Sequence, residues 1–385
     1  MSSGSSQRSR LEFLDAVRGV AALYVMLYHA RELLFEGFHN GATAEAMDPF
    51  SRTIAYTSIS LSFAHQAVVL FFVLSGFVIH LRYARSLHES QDEARLDVGR
   101  FYYRRIRRLG PALILAFVLT LALDLIGTSQ AYALYAKASP YSDINALIFN
   151  DHDLGRGLGY FLLGSGLQTW GTNTPLWSLR LEIWFYALYP ILWLLARRHI
   201  VLTALVVALA FLADAFVFKG GGVIRAVFIA LPSWWAGALL AESYVGRLAI
   251  PLARMRWLAI LLAGLPILQL SPLAPVIGEP LLDIAWACGF VGLLAWLLHG
   301  QDRIADWRIW HWLKPLGDSS YTLYVIHFPI FVLMGAWLMA QSGDGTLPRH
   351  PGWIPVGAAI ALISAYLLHF IVEKPFMTAP RRRPQ

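Results

Sequence analysis

The chain has 385 residues, 57% of them hydrophobic and 14% charged, with a formal net charge of +7. Soluble domains carry about 25% charged residues, so this composition excludes a soluble enzyme and points to an all-α integral membrane protein. The single cysteine, Cys288, excludes an internal disulfide and a cysteine zinc cluster and reads as a small buried hydrophobe.

Residues 1–10 are expected to be a disordered polar N-terminus, 11–376 one transmembrane domain and 377–385 a basic cytoplasmic tail. Apolar runs of about 17 to 25 residues are long enough to cross a bilayer. They predict a bundle of about ten helices, near residues 14–36, 61–81, 109–128, 177–196, 199–218, 224–243, 256–272, 279–299, 319–340 and 353–372. The first run is too long for a cleaved signal peptide and is interrupted by Arg18, so it reads as a retained span. A further apolar piece at 157–170 is short and Gly-rich and reads as re-entrant or interfacial. Alternating the spans puts 23 Lys and Arg on the side of both termini and seven on the other, with Arg180 left inside a span. The positive-inside rule then predicts both termini in the cytoplasm, in the inner or plasma membrane. Topology accounts for the basic excess, and nucleic acid is not needed as a partner.

Along the first span, Arg18, Ala22, Val25 and His29 fall on one helical stripe. Arg18 and His29 are separated by about 16 Å along the axis, Arg18 near the cytoplasmic edge and His29 deep. A charge at the bilayer centre costs about 2.5 to 3.5 kcal/mol on insertion scales, so such groups tend to face a protein interior or a wet cavity. Asp15 and Arg18 also read as interfacial anchors, and His29 as a hydrogen-bonded packing residue. In "FFVLSGFVIH", Ser75 and Gly76 let a neighbouring helix or a ligand approach the backbone. "RFYYRRIRRLGPAL" sets Arg105 and Arg108 three apart on one helical face. Guanidinium forks suit phosphate, although a stop-transfer signal accounts for the same cluster.

The fourth span, "TPLWSLRLEIWFYALYP", holds Arg180 and Glu182, which do not face each other at that spacing. Glu182 is expected to pair elsewhere, either orienting a histidine or in a buried ion pair with Arg18 or Arg180. The ninth, "LGDSSYTLYVIHFPIF", brings Ser320, Tyr321, Tyr324 and His327 into the bundle. His327 has no stripe partner of its own and is expected to matter less than His29. In "FIVEKPF", Glu373 and Lys374 read as ordinary snorkelling charges at a helix end.

Together "LDAVRGVAALYVMLYH", "FFVLSGFVI", "RRIRRLGP", "WSLRLEIWFY", "GDSSYTLYVIHFP" and "VEKPF" resemble, in order and spacing, the membrane-bound acyltransferase family 3, from about Leu11 to Phe376. That resemblance implies a ten-span bundle that transfers an acyl group, usually acetyl from acetyl-coenzyme A, to hydroxyls of sugars or other secreted products. It matches the family's first-span Arg and His to Arg18 and His29, its Arg-x-x-Arg to Arg105 and Arg108, and its fourth-span Glu to Glu182. Where the family often has a Glu pair and a small residue, this chain has Ile183 and Arg180, so only Glu182 fills the acidic role. Some members add an eleventh span and a hydrolase-like domain, and neither is expected here.

The resulting expectation is an integral-membrane O-acyltransferase that modifies a carbohydrate or glycoside acceptor, such as a surface polysaccharide, within the lipid bilayer. Acyl-coenzyme A is its expected donor, held by Arg18, Arg105 and Arg108, and no metal is expected. His29 is the expected general base, since histidine titrates near neutrality, with Glu182 or Asp15 orienting it. The rival expectation is a proton-coupled secondary transporter or flippase using Asp15, His29 and Glu182 as a relay.

Overall fold

The computed structural model describes residues 11–39, 47–90, 94–149, 151–164, 169–216, 222–304 and 307–377. The predicted N-terminal segment, and all of the predicted tail but its first residue, lie outside them. The described elements are helices and turns, and nine helices among them are long and apolar enough to cross a membrane. The long elements are α1 (Glu12–Leu34), α2 (Ala64–Glu89), α3 (Val98–Ser129), α4 (Leu176–Ala196), α5 (Ile200–Phe216) and α6 (Val223–Tyr244). They continue with α7 (Leu252–Gln269, two short α-helices flanking a 3-10 turn), α8 (Glu279–His299), α9 (Arg308–Gln341) and α10 (Trp353–Val372).

Among the described residues, nine helices match predicted spans in length and apolar character, and the fifth predicted span, 199–218, runs beyond them after residue 216. In α5 the apolar stretch covers only Ile200–Asp214, at the position of the fifth predicted span. The apolar piece at 157–170 contributes a ten-residue helix, Leu154–Leu163, about half the length needed to cross.

These segments are helical because lipid offers no hydrogen-bond partners, so each backbone group must be satisfied within its own helix. Large apolar side chains are correspondingly exposed in rows: Ile114, Val118 and Leu125 on α3, and Val201, Leu205, Leu209 and Leu212 on α5. In water such a surface would be an aggregation hazard, whereas in a bilayer it is the solvated face. Prolines lie inside α3, α4, α6, α7 and α9, where neighbouring groups must satisfy the carbonyls they free.

The chain forms two compact units. The first comprises residues up to 21, 65–101 and 178–314. Here α2 and α6 pack backbone to backbone, because a Cβ at Gly76 would sit 1.9 Å from the Trp234 carbonyl oxygen, and one at Gly237 1.9 Å from that of Val73. Helix α8 packs on α6 and α7. Inside this unit, fully buried His80 bonds Glu242 Oε1 at 2.6 Å and the Tyr189 hydroxyl at 3.0 Å, and Arg247 reaches the same Glu242 oxygen at 3.0 Å.

The second unit comprises 22–64, 102–177 and 315–385. Helix α9 lies against α1 at Gly335, where a Cβ would meet the Leu33 carbonyl oxygen at 2.4 Å. A cluster of loops closes one end. The Tyr141 hydroxyl accepts from the Leu347 amide at 2.8 Å and donates to Glu36 Oε1 at 3.5 Å, and Arg349 Nε donates to Glu36 Oε2 at 2.9 Å.

Candidate active site

The residues expected to act divide between the units: Asp15, Arg18 and Glu182 belong to the first, His29, Arg105 and Arg108 to the second. On α1 the stripe is real at its centre, since Ala22 and Val25 are buried. Arg18 pairs with Asp15 at 3.1 Å within the same helix turn. Arg105 is half-buried and Arg108 exposed on α3.

Glu182 accepts at Oε1 from Ser75 Oγ at 2.7 Å and from the Tyr186 hydroxyl, while Trp234 Nε1 donates to Ser75 Oγ at 3.2 Å. The Ser-Gly pair in α2 thus has two tasks: Ser75 grips the fourth-span acid and Gly76 admits α6. Close helix packing, and not a ligand, occupies the space beside Gly76.

At the other end of the stripe, His29 Nδ1 lies 2.9 Å from Nε2 of fully buried His327. The rings stack at 5.1 Å and Phe328 meets His29 edge-on at 5.0 Å. His327, expected to have no stripe partner of its own, is thus paired across helices, and the group at His29 Nδ1 is an imidazole. The two histidines are 298 residues apart, so helical spacing carries no signal of their pairing.

Local bonding sets both tautomers. His327 Nδ1 lies 3.0 Å from the Leu323 carbonyl oxygen, which only accepts, so this nitrogen carries the proton. In the neutral ring Nε2 is then an acceptor, and the proton between the histidines belongs to His29 Nδ1. His29 Nε2 is left with its lone pair, the form a general base requires.

The turn carrying His327 is shaped by Pro329, which lacks the N–H that would bond the Val325 carbonyl. Asn173 Nδ2 supplies the missing donor, at 2.8 Å from Val325 O and 3.1 Å from Thr120 Oγ1. The Tyr324 hydroxyl donates to Pro175 O at 3.2 Å, so loop 169–175 is tied to this turn twice. Asp124, fully buried, anchors the same loop by accepting from Thr172 N and Oγ1, at 3.0 and 2.7 Å, with His152 Nε2 at 2.7 Å. Gly171 adopts φ +63°, and a Cβ there would stand 2.8 Å from Asp124, so glycine is required. Sequence reading missed Asn173 and Asp124; the proline two residues after His327 was the available signal.

The expectation for Glu373 is corrected. It is 1% exposed and takes hydrogen bonds from Thr322 Oγ1 at 2.8 Å and, with its Oε2 3.1 Å away, His369 Nδ1. The acid of "VEKPF" pins α10 to the helix that carries His327 and does not snorkel. Among the described residues, Glu32, His39 and Asp143 bring metal-type ligand atoms within 4.8 Å of one another. There His39 Nδ1 lies 2.6 Å from Asp143 Oδ2 and its Nε2 3.2 Å from the Glu32 carbonyl oxygen, so both ring nitrogens are engaged by protein.

Among known proteins, the family model of an acyltransferase domain matches residues 11–370. A Bacillus subtilis (strain 168) protein named "Putative peptidoglycan O-acetyltransferase YrhL" is 25% identical, over 81% of this chain and 50% of its own. A Rhizobium radiobacter protein named "Protein 2 in picA locus" is 32% identical, over 30% of this chain and 47% of its own. The chain thus spans about half the length of the curated relatives it matches. No solved structure matches it.

Proposed function

Since the chain belongs to the acyltransferase-domain family matched over residues 11–370, we propose that it transfers an acyl group, acetyl by preference, from cytoplasmic acyl-coenzyme A to a hydroxyl of a carbohydrate at the cell surface. The Bacillus relative named for peptidoglycan O-acetylation supports a sugar hydroxyl as acceptor. The observation that carries the reading is the Leu323–His327–His29 hydrogen-bond chain, which leaves a basic nitrogen on the deep end of the α1 stripe.

A hydroxyl is a weak nucleophile at neutral pH, and histidine removes its proton as the C–O bond forms. In the proposed step His29 Nε2 takes the acceptor's proton and the hydroxyl oxygen attacks the thioester carbonyl. Collapse of the tetrahedral intermediate breaks the C–S bond, and the departing coenzyme A thiolate recovers the proton from His29. His327 keeps its own Nδ1 proton on Leu323 O throughout and accepts the His29 Nδ1–H, which steadies the transient imidazolium. Arg105 and Arg108 bind donor phosphates.

Purified protein supplied with acetyl-coenzyme A and a soluble muropeptide or oligosaccharide tests this by release of free thiol and mass gain of the acceptor. Changing both Arg105 and Arg108 to Gln should raise the donor's dissociation constant, each lost charge-assisted contact removing about 1.5 to 3 kcal/mol. Proton-coupled solute flux without thiol release would return the transporter reading in its place.

A further inference from the structure

The first unit contains a cavity of about 440 Å³ at the ends of α2, α6 and α8, lined by Arg85, His88, Glu89, Tyr244, His299 and Gln301 among others. Its polar wall is ordered. The Tyr244 hydroxyl donates to Gln301 Oε1 at 3.1 Å, and the Arg85 guanidinium lies over the Tyr244 ring at 6.0 Å. Arg85 Nη2 is nonetheless buried with no hydrogen-bond partner. Guanidinium stays charged in proteins, and a buried donor left unmade is costly. Glu242 Oε1 accepts from His80 and Arg247, its Oε2 is buried without a hydrogen-bond partner, and Glu89 is exposed.

We infer that this cavity is a binding site for a phosphate ester, recognised by Arg85. A phosphate oxygen supplies the acceptor that Arg85 Nη2 lacks, and the volume falls in the range of small-molecule sites. Three helix C-termini flank the cavity, at Glu89, Tyr244 and His299, and their partial negative charge opposes an anion. Phosphate recognition therefore depends on the arginine and not on the fold's dipoles. The lining residues lie at helix ends that the Lys and Arg count places on the cytoplasmic side, where two sources present this chemistry: coenzyme A and the headgroup of an anionic phospholipid. The coenzyme A source rests on the function proposed above, whereas the phospholipid source does not.

The test uses the full chain in phosphatidylcholine nanodiscs, with coenzyme A titrated calorimetrically into wild type, Arg85→Gln and Arg85→Lys. Retention of phosphatidylglycerol by the same three proteins is measured in parallel by native mass spectrometry. We expect Arg85→Gln to weaken coenzyme A binding about ten- to a hundredfold, with Arg85→Lys between it and wild type because lysine keeps the charge but loses the fork. Lost phosphatidylglycerol retention with coenzyme A affinity intact would assign the phosphate to lipid. Wild-type affinity and retention in both variants would overturn the site, and should the Gln variant not fold, wild-type behaviour of Arg85→Lys alone does so. A wild type that binds no coenzyme A sinks the donor assignment and leaves the lipid arm to decide Arg85.

Discussion

At the scale of single residues, the pairing of His29 with His327 changes what substitution should do. His29→Ala removes the basic nitrogen and should cost at least the roughly 10²- to 10⁴-fold that general base catalysis supplies, with the protein still inserted and still binding donor. His327→Ala leaves the nitrogen in place but removes the acceptor that holds the proton on His29 Nδ1, so the wrong tautomer becomes accessible. It should approach the loss seen for His29→Ala, where helical spacing alone predicts a mild effect. Acceptor acylation in cells at matched membrane abundance, beside donor binding in detergent, measures both. Near-normal transfer by His29→Ala would place the base elsewhere.

At the scale of elements, Pro329 and the loop that supplies its missing donor form one device. Asn173→Ala should leave the Val325 carbonyl unsatisfied, at about 1 to 3 kcal/mol, loosen the His327 turn and lower turnover. Adding Pro329→Ala restores the N–H that α9 lacks, so the double variant should regain stability and activity. Failure of the double variant to recover either would mean that Asn173 acts other than through this carbonyl. The loop cluster makes a separate prediction through Tyr141. Burial pushes its phenol up to about 12, against about 10 in an unfolded chain. The folded state therefore holds this proton more tightly, and its contribution is complete below pH about 10 and lost as pH rises through 12. The protection factor of the Leu347 amide, whose N–H donates to Tyr141, should fall across that window once the base-catalysed intrinsic rate is divided out, and Tyr141→Phe should lower it at neutral pH. A protection factor constant across the window in wild type would detach the phenol from the clamp.

At the scale of the whole molecule, the distribution of Lys and Arg, 23 against seven, predicts sidedness. A reporter fused after Arg308 should read cytoplasmic and one within "QSGDGTLPRHPG" extracytoplasmic, because α9 crosses between them. Both reporters on one face would mean that α9 does not span. The apolar rows on α3 and α5 are exposed, so a cysteine placed at Val118 or Leu209 should be shielded from a water-soluble thiol reagent in lipid, and reactivity equal to that of a loop cysteine would mean that the row faces water.

Hydropathy and charge alone determined the helical class, most of the spans, the stripe on α1 and the acid in α4, because lipid imposes length and periodicity on each segment separately. Which side chains meet was decided only by tertiary structure. The His29–His327 bond, the grip of Ser75 on Glu182, the repair of Pro329 by Asn173 and the burial of Glu373 against Thr322 all join segments at least 50 residues apart. A local pattern states which face a residue occupies; the proton's position on His29 depends on a carbonyl at Leu323 and an imidazole at 327, and those come within reach only when the second unit packs.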